Sequence, residues 1–207
     1  MKRFLLVPLC ALTVASSYAA VTSSTSDSIS VMPVLMNQPE IRRDLGLSSV
    51  QRAKLDFVFA ESRAKIGIVS ATGLLDPSCA KVSESDLLAD HARSNRRVLA
   101  ALTPSQRVRF RQIERQFHGG LFLLSPSEQE NLSLTAEQRR KISELRSYEI
   151  TKTKAVLEDF KLGRKSALRK DIDLRRIERT TSRSMLHLLT SAQKRQWLDS
   201  LGAPLGK

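Results

Sequence analysis

"LAALTPSQRVRFRQIERQ" spans residues 99–116. At its centre stands Leu102-Thr103-Pro104-Ser105-Gln106. A Ser or Thr followed three residues later by Gln is a capping box: the hydroxyl accepts from the N3 backbone N–H, and the Gln side chain accepts from the N-cap N–H. Pro104 suits the first helical position, where its fixed φ fits and its missing N–H costs nothing. The leucine before the cap places an apolar anchor where the chain enters the helix. The pentapeptide therefore predicts a helix start pinned by a hydrophobic residue.

Three near-copies occur elsewhere: Leu47-Ser48-Ser49-Val50-Gln51, Leu134-Thr135-Ala136-Glu137-Gln138 and Leu189-Thr190-Ser191-Ala192-Gln193. First to third and second to fourth are both 87 residues apart. A fixed period is the mark of an internal repeat. The same offset places Pro39 on Pro126, Leu45 on Leu132, Arg96 on Arg183, Phe110 on Trp197 and Gly119 on Gly206, without a gap. The expected organisation is one unit written twice, with copy one over residues 33–120 and copy two over 121–207.

Apolar residues after each box recur at helical spacing: Leu55, Phe59, Ile66 and Val69; Phe110, Ile113 and Phe117; Ile142, Leu145 and Val156; Trp197 and Leu201. Leu88, His91, Val98 and Leu102 fit a further helix, and Leu174, Ile177, Met185 and Leu188 fit its counterpart. No alternating strand pattern is found, and Gly73, Pro77, Gly119, Gly120, Pro126 and Gly163 punctuate the chain. The predicted class is all-α: a tandem duplication of a long αα-hairpin with short capping helices. One hairpin alone would bury little core, so the copies are expected to pack on each other.

The first residues read as an export signal. Lys2 and Arg3 precede an apolar run from Phe4 to Val14, and Ser17-Tyr18-Ala19 suits cleavage after Ala19. Residues 1–19 are thus expected to be a signal peptide and the Ser/Thr-rich 20–32 a disordered arm. Periplasmic localisation follows. No other stretch could span a membrane, so no stable membrane insertion is expected. Cleavage would leave Cys79 alone, as a free thiol or in an intermolecular bridge.

The 207-residue chain carries a net charge of +13, and loss of Lys2 and Arg3 lowers it to +11. Such a balance favours acidic partners. Export, with no aromatic RNA-binding motif and no zinc-finger spacing, sets nucleic acid aside. The basic residues are concentrated: Arg169, Lys170, Arg175, Arg176, Arg179 and Arg183 crowd one predicted helix, with Arg93, Arg96 and Arg97 in the corresponding region of copy one. They form the candidate binding face, against the plainer reading of a solvated helix surface.

No catalytic constellation is present. A nucleophile elbow, a Gly-rich phosphate loop and an HExxH pair are all missing from the sequence. His91, His118 and His187 are not spaced as a metal pair, and none recurs at the 87-residue offset. No catalytic, metal or cofactor residue is assigned.

Paired Leu-Thr-x-x-Gln motifs on basic helical hairpins, behind an export signal, resemble the LTXXQ-motif periplasmic stress proteins (Spy/CpxP-like). "VLAALTPSQRVRFRQIE", residues 98–114, looks like their second motif, and "LSLTAEQRRKISELR", residues 132–146, like their first. Ser48 replaces the usual threonine in the first box, and the turn "ATGLLDPSCAKVSE" at 71–84 has no equal in copy two. The resemblance implies an all-helical cradle. It also implies ATP-independent, chaperone-like binding of unfolded or aggregation-prone envelope proteins, or recognition of one envelope partner in stress signalling. Since each copy carries two motifs, the chain is expected to hold both cradle halves, as a monomeric pseudo-dimer or as a homodimer.

Overall fold

The computed structural model describes residues 35–61 and 84–206. The expected signal peptide and arm, Cys79 and most of the turn at 71–84 lie outside the described residues. Among the described residues every regular element is helical and no strand occurs. In chain order they are α1 (Pro39–Asp44), α2 (residues 49–61), α3 (Glu84–Ala101), α4 (Pro104–His118), a 3-10 helix (Gly119–Leu124), α5 (Pro126–Asn131), α6 (Ala136–Lys161), α7 (Ala167–His187) and α8 (Ser191–Ser200). No helix among them is long and apolar enough to cross a membrane.

All four pentapeptides start helices as their chemistry requires. Thr103, Thr135 and Thr190 form reciprocal capping boxes with Gln106, Gln138 and Gln193. Ser48 does the same with Gln51, at 3.2 Å from Gln51 N to the Ser48 hydroxyl and 3.0 Å from Ser48 N to Gln51 Oε1. The serine for threonine exchange thus preserves the cap. Ser166 caps α7 by accepting from Arg169 N, a start that the pentapeptide pattern does not mark.

Two hydrophobic clusters form. The first gathers Leu35, Met36, Ile41, Leu45, Leu47, Leu55, Val58, Phe59, Val98, Leu102, Phe110 and Ile113. The second gathers Leu123, Leu132, Leu134, Ile142, Met185, Leu189 and Trp197. Several pairs of residues 87 apart fall one in each cluster, as Leu45 and Leu132, Leu55 and Ile142, or Phe110 and Trp197. Tight turns precede the boxes at the same offset. Gly46 (φ 58°) takes the left-handed position in one, and Ser133 (φ 49°) takes it in the other, where a non-glycine residue is uncommon.

The offset fails at position 41. Ile41, in the first cluster, stands 87 residues before Glu128, which is 2% exposed. Glu128 accepts two hydrogen bonds from Arg115 at the end of α4, at 3.1 and 2.7 Å. The Arg115 guanidinium also covers the Phe122 ring, 5.4 Å from its centroid. The 3-10 segment packs on α7, where Gly120 N donates to the Ser182 hydroxyl at 2.8 Å. Beyond α8 the chain returns to α4. There Gln116 donates to the carbonyls of Leu201 and Ala203, and Leu205 packs against the first cluster.

Candidate functional site

The glutamines do more than cap. Gln51 Nε2 donates to the Ala101 carbonyl (2.8 Å) and to Gln106 Oε1 (2.7 Å). Gln106 Nε2 donates to the Leu45 carbonyl (3.1 Å) and back to Gln51 Oε1 (3.2 Å). Gln138 and Gln193 repeat the arrangement with the carbonyls of Leu188 and Leu132. With the cap N–H also accepted, each amide uses two donors and two acceptor sites, its full capacity. The boxes are therefore paired clasps that close each set of helices, and their residues are structural rather than ligand-binding.

The predicted basic face divides. Arg175, Arg179 and Arg183 lie on one side of α7, with Arg179 and Arg183 exposed and Arg175 half-buried. None of the three makes an ion pair within 4 Å among the described residues, and the charges of Arg175 and Arg179 act on the neighbouring Glu178 carboxyl. Arg169 and Arg176 instead turn toward Asp173, at 3.4 and 2.7 Å, where Lys165 also binds at 2.8 Å. Asp173 is 3% exposed. The hydrogen bond from Lys165, opposed by desolvation, holds its carboxyl below the usual range. Lys170 does not belong to the exposed face: it is buried, with its amine 3.2 Å from Asp171 and 4.6 Å from the Phe160 ring centroid. Aliphatic Lys stems readily cover apolar surface in this way. On α3, Arg93 and Arg96 are exposed, while Arg97 binds Glu61 and lies over the Phe57 ring, 5.6 Å from its centroid.

Apolar residues that periodicity assigns to no particular face complete the surface. Leu168 is 71% and Ile172 47% exposed, on the same side of α7 as Arg175, Arg179 and Arg183. Positions 168, 172, 175, 179 and 183 repeat every three or four residues, so they form one stripe. The groove between α6 and α7, of about 380 Å³, is lined by Tyr148, Lys152, Val156, Lys165, Asp173 and Arg176. Two of its three cations are already committed to Asp173.

Two perturbed groups lie one turn apart on α4. Burial pushes the Glu114 carboxyl up to about 7 against the pull of Arg111 and Arg115. Burial lowers half-buried His118 to about 4; its ring stacks on Phe122, 6.5 Å between centroids. His187 is exposed on α7. Among the described residues no group of three or more His, Cys, Asp or Glu is placed to hold a metal ion.

The arrangement offers hydrogen-bond donors, positive charge and apolar area along one rigid helix. It suits recognition of an acidic, partly apolar partner. Comparison of the chain with protein-family models, curated proteins and solved structures finds no match.

Proposed function

We propose that the chain is an exported, ATP-independent, chaperone-like protein that binds unfolded or aggregation-prone polypeptides. The observation that carries this reading is the α7 stripe, in which exposed Leu168 and Ile172 continue into half-buried Arg175 and exposed Arg179 and Arg183. Charge would act first, drawing in acidic segments, and apolar contact would follow. We further read the chain as a tandem duplication of one helical hairpin unit, with both halves of a Spy/CpxP-like cradle in a single polypeptide. The two glutamine clasps at the same 87-residue offset support that reading, as do the matching cluster positions.

Suppression of aggregation of several unrelated unfolded proteins tests the function. Arg175→Glu, Arg179→Glu and Arg183→Glu together should abolish suppression, and ~0.5 M salt should weaken it in the parent chain. No suppression by the parent chain, together with recovery of one stoichiometric envelope protein, would instead support a regulatory interaction protein. Sedimentation tests the duplication: one chain should carry a complete binding unit, and an obligate homodimer with one half-site per chain would refute it.

A further inference from the structure

We infer that the tip of the α6–α7 hairpin is a docking point for the surface of an anionic phospholipid bilayer. This goes beyond client binding and does not rest on it, although Leu168 and Ile172 belong to both surfaces. The tip comprises the end of α6, the turn at 162–166 and the first turns of α7.

The turn is held by backbone and ionic bonds. Gly163 (φ 70°) occupies the left-handed position after α6. Gly163 N donates to the Phe160 carbonyl and Arg164 N to that of Asp159, which together make a Schellman motif. Such motifs are usually closed by an apolar residue after the glycine. The turn after α1 follows that pattern with Leu47, and the turn after α5 with Leu134, both buried. At the hairpin tip the equivalent residue is Arg164, paired with Asp159 at 3.4 Å. Lys165 then ties the turn to Asp173 at 2.8 Å, and Ser166 caps α7.

The leucines of the tip are consequently left out of the fold. Leu162 is 53% exposed and Leu168 71%, with Ile172 one turn further along α7 and Phe160 beside them, 38% exposed. Around these apolar residues stand Lys161, Arg164 and Arg169, all well exposed. Residues 158–176 contain seven basic and four acidic side chains, with Glu158 and Asp159 beside Lys161 and Arg164, so the tip keeps a net positive charge. An apolar point inside a cationic collar matches an anionic bilayer, with phosphates at the collar and acyl chains beneath it.

The geometry limits the depth. Interfacial segments bury roughly 5–10 Å into the headgroup and acyl boundary. Arg179 lies eleven residues beyond Leu168, about 16 Å along the helix at 1.5 Å per residue. Arg179 and Arg183 would remain in water, free for polypeptide clients.

Vesicle sedimentation with the full chain tests the proposal. Binding is expected to vesicles containing about 30% phosphatidylglycerol, to be absent from pure phosphatidylcholine, and to fall in ~0.5 M salt. Leu162→Ser with Leu168→Ser should weaken binding at least about tenfold. Its melting temperature should not change, because both side chains are exposed. Lys161→Glu with Arg164→Glu should weaken binding similarly. Equal binding to neutral vesicles would overturn the inference, and so would binding unchanged in the leucine variant. Indifference of the parent chain to vesicles would also overturn it; loss of client binding or of self-association in the leucine variant would then assign the tip to a protein partner.

Discussion

Gln138 and Gln193, 55 residues apart, hydrogen-bond to each other in both directions, at 2.8 and 3.1 Å between amide nitrogen and carbonyl oxygen. Each also accepts its own N-cap N–H and donates to a distant backbone carbonyl. A capping box alone tolerates Glu in place of Gln; this clasp does not, because a carboxylate has no hydrogen to donate. Gln138→Glu should destabilise the fold by about 2–4 kcal/mol, since it strands the Leu188 carbonyl and buries a charge. Thr135→Ala removes only the cap and should cost about 1 kcal/mol. Urea denaturation separates the two. Equal effects would show that the cross-link contributes nothing beyond capping.

Arg115 and Glu128 make a second, buried link. Their side chains are 12% and 2% exposed. Arg115→Ala leaves an uncompensated carboxylate in an apolar site and should cost about 3–5 kcal/mol. Replacing both partners, Glu128→Ile with Arg115→Met, should recover most of that loss, because matched apolar pairs often equal a buried ion pair. Isoleucine is the residue present at position 41. Thermal unfolding of the two variants provides the comparison, and a double variant no better than Arg115→Ala would contradict the argument.

Gly120 faces the backbone of α7, where an added Cβ would collide with the Ser182 carbonyl oxygen. Backbone cannot step aside as a side chain can, so Gly120→Ala should destabilise by about 1–3 kcal/mol or more. Loss of the bond from Gly120 N to the Ser182 hydroxyl should accompany it. Amide exchange at Gly120 offers a local readout: faster exchange is expected, while unchanged protection and stability would mean that the segment shifts freely.

Glu114 and His118 should give opposing pH dependences. The folded pKa of Glu114 is raised from 4.5 to about 7, so the folded state holds the proton more tightly. Its contribution is present at low pH and is lost as pH rises through 4.5–7. The folded pKa of His118 is lowered from 6.5 to about 4, so its contribution is present above 6.5 and is lost as pH falls toward 4. The two slopes cancel across most of pH 4.5–6.5. Glu114→Gln should expose a stability that increases with pH over that range, and His118→Phe one that decreases. Chemical denaturation at several pH values tests both, and parallel slopes in the two variants would rule the assignment out.

The helix starts were legible in the sequence because a cap involves neighbours three residues apart. Thr103 with Gln106 or Thr190 with Gln193 forms the same bonds whatever surrounds it. The apolar periods of α6 and α7 were legible for a similar reason. The side chains of the candidate site are less legible. Arg179 and Arg183 are exposed and Arg175 half-buried, while Lys170 is buried and Arg169 and Arg176 turn toward Asp173. Charge counts along a helix cannot reveal which cations an acid on the same helix has claimed. Leu162 and Leu168 carry no sequence signal of exposure, since leucine is ordinarily a core residue.

An all-helical class and four capped helix starts follow from the chain alone, because both rest on local hydrogen bonding and short-range periodicity. The pairing of the four glutamines, the meeting of Glu128 with Arg115 and the outward turn of the leucines at the hairpin tip need the packed helices. Each depends on a group brought from another element or on the packing around a turn. Its energy comes from burial and mutual satisfaction of polar groups, which arise only when the helices meet.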